Sequence, residues 1–348
     1  VCSSDLAETF NVLMTVKSKD GGASWAEVDG ANRPATGDLE GFASAHRDGT
    51  IHMLHQIDEA VLYHAFRTSD HSSTPDSWSV RDDTVATPGE PPVQVAAMEA
   101  RTDGSLVAVY GGPNKIQVSI RSPNGFWGPE KIVDEAGPLR LSGPQTVLGD
   151  DDVVHLAYTA RDGTLWYRRI EQDGTLTPRV QLSGDIGKQE QDIGSVLPLV
   201  YVAETETVVA VYRRTDGRLW ARRVDQGGSV SEPTRVTDRR VVQSAVDSDQ
   251  VGADAIRVGT AVHVLFIEEG SGDLYHTKQL GPGRWDEAAL AVDTATVQWV
   301  RGRPLVQPRT GNPVYGYVYD AGSNGGSGKN WYNEWPLDGG MDSGDDSN

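Results

Sequence analysis

The stretch Ser18-Lys19-Asp20-Gly21-Gly22-Ala23-Ser24-Trp25 has the spacing S-x-D-x-G-x-x-W. The aspartate carboxylate can accept backbone N–H groups across a tight turn, and glycine tolerates positive φ. Ser18 can bond locally across the same turn, and Trp25 opens the next strand as a large apolar anchor. The stretch predicts a hairpin corner with its own clasp. Weakened corners recur at Pro75-Asp76-Ser77-Trp78, Asn124-Gly125-Phe126-Trp127, Asp173-Gly174, Gln226-Gly227-Gly228 and Gly281-Pro282-Gly283-Arg284-Trp285. Recurrence at a fixed interval marks a repeat architecture.

Working outward, each unit of about 50 residues holds an apolar alternating run, a turn, and a second run opened by a Leu-aromatic or similar pair. The pairs are Ile51–His55 with Leu62–Arg67, Leu106–Tyr110 with Ile116–Arg121, and Val154–Tyr158 with Leu165–Arg169. They continue with Val208–Tyr212 and Leu219–Arg223, then Val262–Phe266 and Leu274–Lys278, then Tyr315–Tyr319 and Asn330–Tyr332. Period-2 alternation broken by Asp162-Gly163 or Asp216-Gly217 is a hairpin signal. A shorter apolar stretch precedes each pair: Gly41–Ala45, Val93–Ala97, Ser195–Val200, Ala253–Arg257. Each unit therefore supplies four short antiparallel strands, A to D. Four strands at this period read as blades of a β-propeller, stacked because one blade cannot bury both its faces. The fold class expected is all-β, a single propeller. Six units are complete, and residues 7–39 show only strands C and D, so the expected sum is seven blades with the first incomplete; six is the alternative. Residues 7–337 form the propeller and 338–348 a disordered acidic tail.

The net charge is −19, from 50 acidic and 31 basic residues. That surface repels polyanions, so nucleic acid and anionic membranes are not expected partners, and no apolar run approaches a membrane span. An acidic coat fits a salt-adapted or secreted protein, expected as a bacterial monomer outside the cell or on its surface. The single cysteine, Cys2, excludes an internal disulfide. Residues 1–6 read as non-native or linker, a translated sequencing remnant rather than a lipoprotein start.

With this repeat and the corner at Ser18, Asp20, Gly22 and Trp25, the chain resembles the sialidase-like β-propellers with Asp-box (BNR) repeats. The resemblance implies a carbohydrate-active propeller, since that group includes sialidases, other glycosidases, polysaccharide lyases and glycan-binding modules. Its Asp-box lies at the bottom corners and takes no part in catalysis. The Arg-Ile-Pro type motif and the Tyr/Glu nucleophile pair of sialidases have no match here. Propeller lyases such as those acting on ulvan are similar in general character. They use His or Tyr as base and acid, with Arg neutralising a uronate.

Internal alignment separates scaffold from candidate site. His52, His155 and His263 share one place in strand B, which points to packed rings bonded to a neighbouring blade. His55 stands where other blades carry Tyr110, Tyr158, Tyr212, Phe266 and Tyr319, and a titratable ring there is a candidate acid or base. Tyr212 is a candidate proton donor. Arg161, Arg213 and Arg214 follow strand B of adjacent blades and can form a fork for carboxylate or sulfate, with Arg301 and Arg303 in the same sector. The D-to-A connections supply Asp38, Glu40, Glu90, Gln145, Gln189, Asp192, Asp247 and Asp249, with Asp192 and Asp247 as substrate contacts. No cofactor and no metal are expected, because His52 and His55 fall on opposite strand faces. The expected function is a lyase or glycosidase for an acidic glycan; the alternative is a non-catalytic glycan- or protein-binding propeller.

Overall fold

The computed structural model describes residues 11–13, 16–17, 24, 26–27, 33–35, 39–57, 60–67, 78–86, 97–112, 114–135, 141–160, 162–186, 198–243, 252–293, 297–306, 311–321 and 330–337. It is an all-β chain. The one helical element among these residues is a 3-10 turn at Ala203–Thr205.

Six antiparallel sheets follow in chain order. Sheet I contains Leu39–Arg47, Thr50–Ile57, Ala60–Arg67 and Trp78–Ala86. Sheet II contains Ala97–Ala100, Leu106–Gly112, Lys115–Arg121 and Lys131–Glu135. Sheet III contains Leu141–Leu148, Val154–Ala160, Leu165–Ile170 and Val180–Ser183. Sheet IV contains Leu199–Val202, Thr207–Arg213, Arg218–Val224 and Thr234–Arg240. Sheet V contains Ala253–Val258, Ala261–Ile267 and Leu274–Gly281, with Arg284–Trp285 and Ala289–Val292 both pairing the third strand. Sheet VI contains Val297–Val306, Pro313–Ala321 and Asn330–Pro336. Ahead of them, Val16–Lys17 pairs with Ala26–Glu27, the hairpin expected around the opening corner, and Asn11–Leu13 pairs with Arg33–Ala35. The corner itself, apart from Ser24, lies outside the described residues.

The first strand of each sheet lies against the first strand of the next, from sheet I through to sheet VI. Five apolar clusters fill the five intervals between consecutive sheets. This is propeller packing: sheets II to V each bury both faces against their neighbours, with the first strands at the axis. Second strands are the most buried, Val154–Ala160 from end to end, because they sit midway between axis and rim.

Polar latches join the sheets further out. Asp134 on the outer strand of sheet II accepts from Tyr158 Oη in sheet III at 2.7 Å and from Arg179 Nη1, just ahead of that sheet's last strand, at 2.8 Å. Asp83 accepts from Trp127 Nε1 at 3.2 Å, and Arg239 and Arg240 pair with Glu268 and Glu269.

The histidine position needs one correction. His52, His155 and His263 bond inside their own sheets, to Tyr63 Oη at 2.7 Å, Tyr167 Oη at 2.6 Å and His276 Nε2 at 3.0 Å. The neighbouring sheet supplies stacking instead, with His155 on Tyr201 and His276 on Trp335. Where the position holds Val107 or Val209, the partner place holds Val118 or Ala221, an apolar pair. A second correction concerns sheet I. His55 faces Leu62 just as Tyr158 faces Trp166, so Val61-Leu62, not Leu62-Tyr63, matches Leu165-Trp166.

Candidate functional site

The first strands of sheets II, V and VI each carry charged residues among apolar or small ones. Sheet II contributes Ala97-Met98-Glu99-Ala100, sheet V Ala253-Asp254-Ala255-Ile256, and sheet VI Val300-Arg301-Gly302-Arg303. A carboxylate or guanidinium at a propeller axis is desolvated by the surrounding strands unless another charge answers it.

Glu99 accepts from Thr146 Oγ1 on the first strand of sheet III at 2.8 Å. Burial raises its pKa to about 7, against the opposing effects of the Thr146 hydroxyl and the Arg303 charge. A charge on sheet VI therefore acts on a carboxyl of sheet II. In their hairpins Glu99 faces Val107 and Arg303 faces Gly316, equivalent places, so they stand at one level along the axis.

Arg301 and Arg303 alternate on one strand and so project from the same face. Arg303 is exposed and donates to the Gly302 carbonyl at 3.2 Å; among the described residues it forms no ion pair. Burial lowers the Arg301 pKa and Asp254 opposes this, while a guanidinium stays cationic across the ordinary pH range. Asp254 Oδ2 accepts the Gly302 N–H at 2.6 Å and the Tyr315 hydroxyl at 3.3 Å. Burial first, then Asp254, pushes the Tyr315 phenol well above its usual range. Gly302 is obligatory in this clasp: a Cβ there would lie 2.3 Å from a Tyr315 ring carbon and 2.8 Å from the Gly316 carbonyl oxygen.

The sequence-derived candidates have the following places. His55 is buried, with Nδ1 at 3.0 Å from His64 Nε2 and the rings stacked at 4.5 Å. It lies three residues from His52, whose partner Tyr63 packs toward sheet II, so it faces the other way. Tyr212 is buried in the interval between sheets III and IV beside Arg222 and Ser183, and burial raises its pKa. Arg213 donates to the Val241 carbonyl at 2.7 Å and approaches Glu269 at 3.6 Å, whereas Arg214 donates to Asp185 and covers Trp220. The two adjacent arginines thus serve opposite neighbours rather than one fork. Gln145 belongs to the first strand of sheet III opposite Ala157, not to a connection. Glu40 is the second residue of the first strand of sheet I rather than part of a connection. Arg161, Asp192, Asp247, Asp38, Glu90, Gln189 and Asp249 lie outside the described residues. Of these candidates Arg301, with Arg303, lies on the first strand of sheet VI.

Sequence reading missed Glu99 and Asp254. Strand A of the second unit was expected over Val93–Ala97, which stops short of Glu99; the described strand is Ala97–Ala100. The available signal was a lone carboxylate inside a small apolar axial strand, present in both segments. Among the described residues no group of three or more His, Cys, Asp or Glu is placed to hold a metal ion. Nor is any helix among them long and apolar enough to cross a membrane.

No protein-family model matches the chain, and no curated protein matches its sequence. Solved structures do. The BP39L lectin from Burkholderia pseudomallei superposes with a TM-score of 0.57 at 12% identity, over 84% of this chain and 85% of that one. The alpha-L-arabinanase of Penicillium chrysogenum, complexed with arabinobiose, gives 0.50 at 13% identity, over 86% and 93%. A PL25 ulvan lyase gives 0.50 at 11% identity, over 84% and 81%. At such identities the likeness is one of fold, and it agrees with the sheet order described above.

Proposed function

We propose that the chain is a carbohydrate-active β-propeller that binds an acidic glycan at the axial channel and cleaves it. The observation that supports this is Glu99, a carboxyl whose pKa is raised to about 7, at a strand position equivalent to that of Arg303, which forms no ion pair among the described residues and shares its strand with Arg301. A group poised near neutrality both takes and returns a proton at working pH. Two guanidinium groups answer a substrate carboxylate in a protein whose surface is otherwise acidic.

A uronate lyase uses those parts directly. Arg301 and Arg303 neutralise the sugar carboxylate and so acidify the adjacent C–H. The Glu99 carboxylate removes that proton, the ring C=C forms as the glycosidic C–O bond breaks, and the proton passes to the leaving oxygen. A glycosidase would use the same Glu99 as its acid. The reading takes the fold as seven blades, with the hairpin of residues 11–35 as part of the seventh. It keeps the Asp-box kinship, a monomeric state and an extracellular bacterial setting.

A second reading, a non-catalytic glycan-binding propeller, draws on repetition. Trp166, Trp220 and Tyr275 hold one place in three sheets, and each is covered by an arginine: Arg179 at 4.3 Å, Arg214 at 4.7 Å and Arg239 at 3.9 Å. Equivalent shelves in several sheets suit multivalent binding.

Incubation with uronate-containing and sialylated glycans separates the two. New ultraviolet absorbance with new reducing ends, both lost in Glu99→Gln, supports the lyase. Reducing ends alone support a glycosidase. Retained binding without turnover refutes catalysis and supports the second reading.

A further inference from the structure

Sheet II departs from its neighbours at one place. Trp166, Trp220 and Tyr275 stand directly across their hairpins from Tyr158, Tyr212 and Phe266, whereas Gln117 stands across from Tyr110. A second residue changes with it. Arg179, which covers Trp166, comes just before Val180, and the matching place before Lys131 holds Glu130. An aromatic ring under a guanidinium is exchanged for an amide under a carboxylate, with Gln117 Nε2 donating to Glu130 Oε2.

The exchange leaves two polar atoms unanswered between sheets I and II. Tyr110 packs in that interval, and Gln117 shares its face because the two are directly opposed. Gln117 is 4% exposed; its nitrogen is committed to Glu130, and its Oε1 has no hydrogen-bond partner among the described residues. The tyrosines of the next two sheets reach the outer strand of the sheet before them: Tyr158 donates to Asp134 at 2.7 Å, and Tyr212 lies beside Ser183. Asp134 pairs with Ile116 and Ser183 with Leu165; the same place in sheet I, paired with Val61, is the buried Ala86. No group of sheet I therefore answers the Tyr110 phenol, and its Oη makes no hydrogen bond among the described residues. Its polar neighbour in sheet II, Ser119, donates to the Gly128 carbonyl at 3.0 Å. Glu130 is exposed, so one side chain separates these atoms from solvent.

The chemistry of the place selects its ligand. With Glu130 turned outward it presents an amide N–H, an amide oxygen and a phenol O–H, all uncharged. A carboxylate or sulfate only accepts, leaves the Gln117 oxygen unanswered and meets Glu130. An ammonium only donates and leaves the phenol proton unanswered. Hydroxyl groups do both. We propose that the cleft between sheets I and II binds a neutral sugar through adjacent hydroxyl groups held by Gln117 and Tyr110, with Glu130 as its movable cover. Trp127, half-buried on the same cluster, offers the sugar ring an apolar wall. This goes beyond the acidic-glycan reading: the site lies on the second and third strands of sheet II, away from the first strands that carry Glu99 and Arg303.

Saturation-transfer NMR of the full chain with methyl glucoside, methyl galactoside and methyl mannoside, then titration of whichever responds, tests it. At least one should bind, and Arg303→Ala should bind it equally. Tyr110→Phe and Gln117→Leu should each weaken binding roughly tenfold. Phe266 and Leu62 already occupy these two places in sheets V and I, and each variant removes a buried polar atom that folding leaves unanswered. Both should therefore unfold no earlier than wild type on heating. Glu130→Ala, an exposed change, should bind at least as tightly as wild type, which keeps the test open should a buried variant fold poorly. Silence with all three glycosides, affinity unchanged in Tyr110→Phe and Gln117→Leu, or binding lost in Glu130→Ala or Arg303→Ala overturns the proposal. Silence together with earlier unfolding of both buried variants would overturn it in favour of an ordered water. Cleavage of an acidic glycan bears on the channel alone and leaves this site to be judged by the neutral glycosides.

Discussion

Lowering the pH from 7.5 to 5.0 tests the buried imidazoles, and His155 most directly. Its ring is 6% exposed, accepts or donates one bond with Tyr167, and stacks on Tyr201 of the next sheet. Burial lowers its pKa to about 4, with Asp151 opposing and Arg169 adding to the effect. The unfolded chain has no such burial, and its imidazole titrates near 6.5. Protons therefore bind the unfolded state first. The stabilising contribution is complete above pH 6.5, falls as pH drops through the window to about 4, and then levels. Between pH 7.5 and 5.0 the difference comes to about 2 kcal/mol for this one ring, at ~1.4 kcal/mol per pKa unit. Urea unfolding of wild type and His155→Gln at the two pH values reads it. Wild type should lose about 2 kcal/mol more than the variant on acidification, even though the variant starts lower at pH 7.5 by the lost bond and stacking. Equal losses in the two proteins would refute the argument that the folded state holds this ring neutral.

Gly302→Ala should destabilise the fold by roughly 1–3 kcal/mol, because the new methyl group meets the Tyr315 ring and the Gly316 carbonyl; thermal unfolding measures it. Asp134→Ala should cost roughly 1–3 kcal/mol in urea unfolding, since it leaves the Tyr158 hydroxyl and Arg179 without their acceptor. Tyr212→Phe should leave glycan turnover within about twofold of wild type while Glu99→Gln abolishes it, because the Tyr212 ring is buried between sheets. The opposite pattern would move the chemistry from the channel to the interval between sheets III and IV.

The hairpins were legible because second and third strands alternate cleanly and turn on glycines: Gly163 and Gly217 hold φ of 90° and 80°. The shared histidine position was legible for the same reason, since internal repeats act as their own alignment. The slip in sheet I has a physical cause. Its two middle strands end at Ile57 and resume at Ala60, whereas those of sheet III end at Ala160 and resume at Leu165. A shorter loop moves the third strand by a residue, and a one-residue slip exchanges its faces. Because of it Tyr63 read as an outer aromatic rather than the partner of His52. Glu99 and Asp254 escaped for another reason. First strands such as Ala97–Ala100 span four residues, too few to show a period, and their partners come from sheets distant in sequence. Thr146 is 47 residues from Glu99 and Gly302 is 48 from Asp254.

The place held by His52, Val107, His155, Val209 and His263 has a consequence for assembly. A chain of near-copies risks docking the wrong neighbours as it folds, since every sheet offers a similar face. Here the face turned toward the next sheet changes character from copy to copy: imidazole with phenol, two valines, imidazole with phenol, valine with alanine, then two imidazoles. A skipped sheet would bring Tyr201, which stacks on His155, against the Val107–Val118 pair instead, leaving a polar ring without its match. The alternation acts as an address label on each copy, and the order of the ring is written into its core.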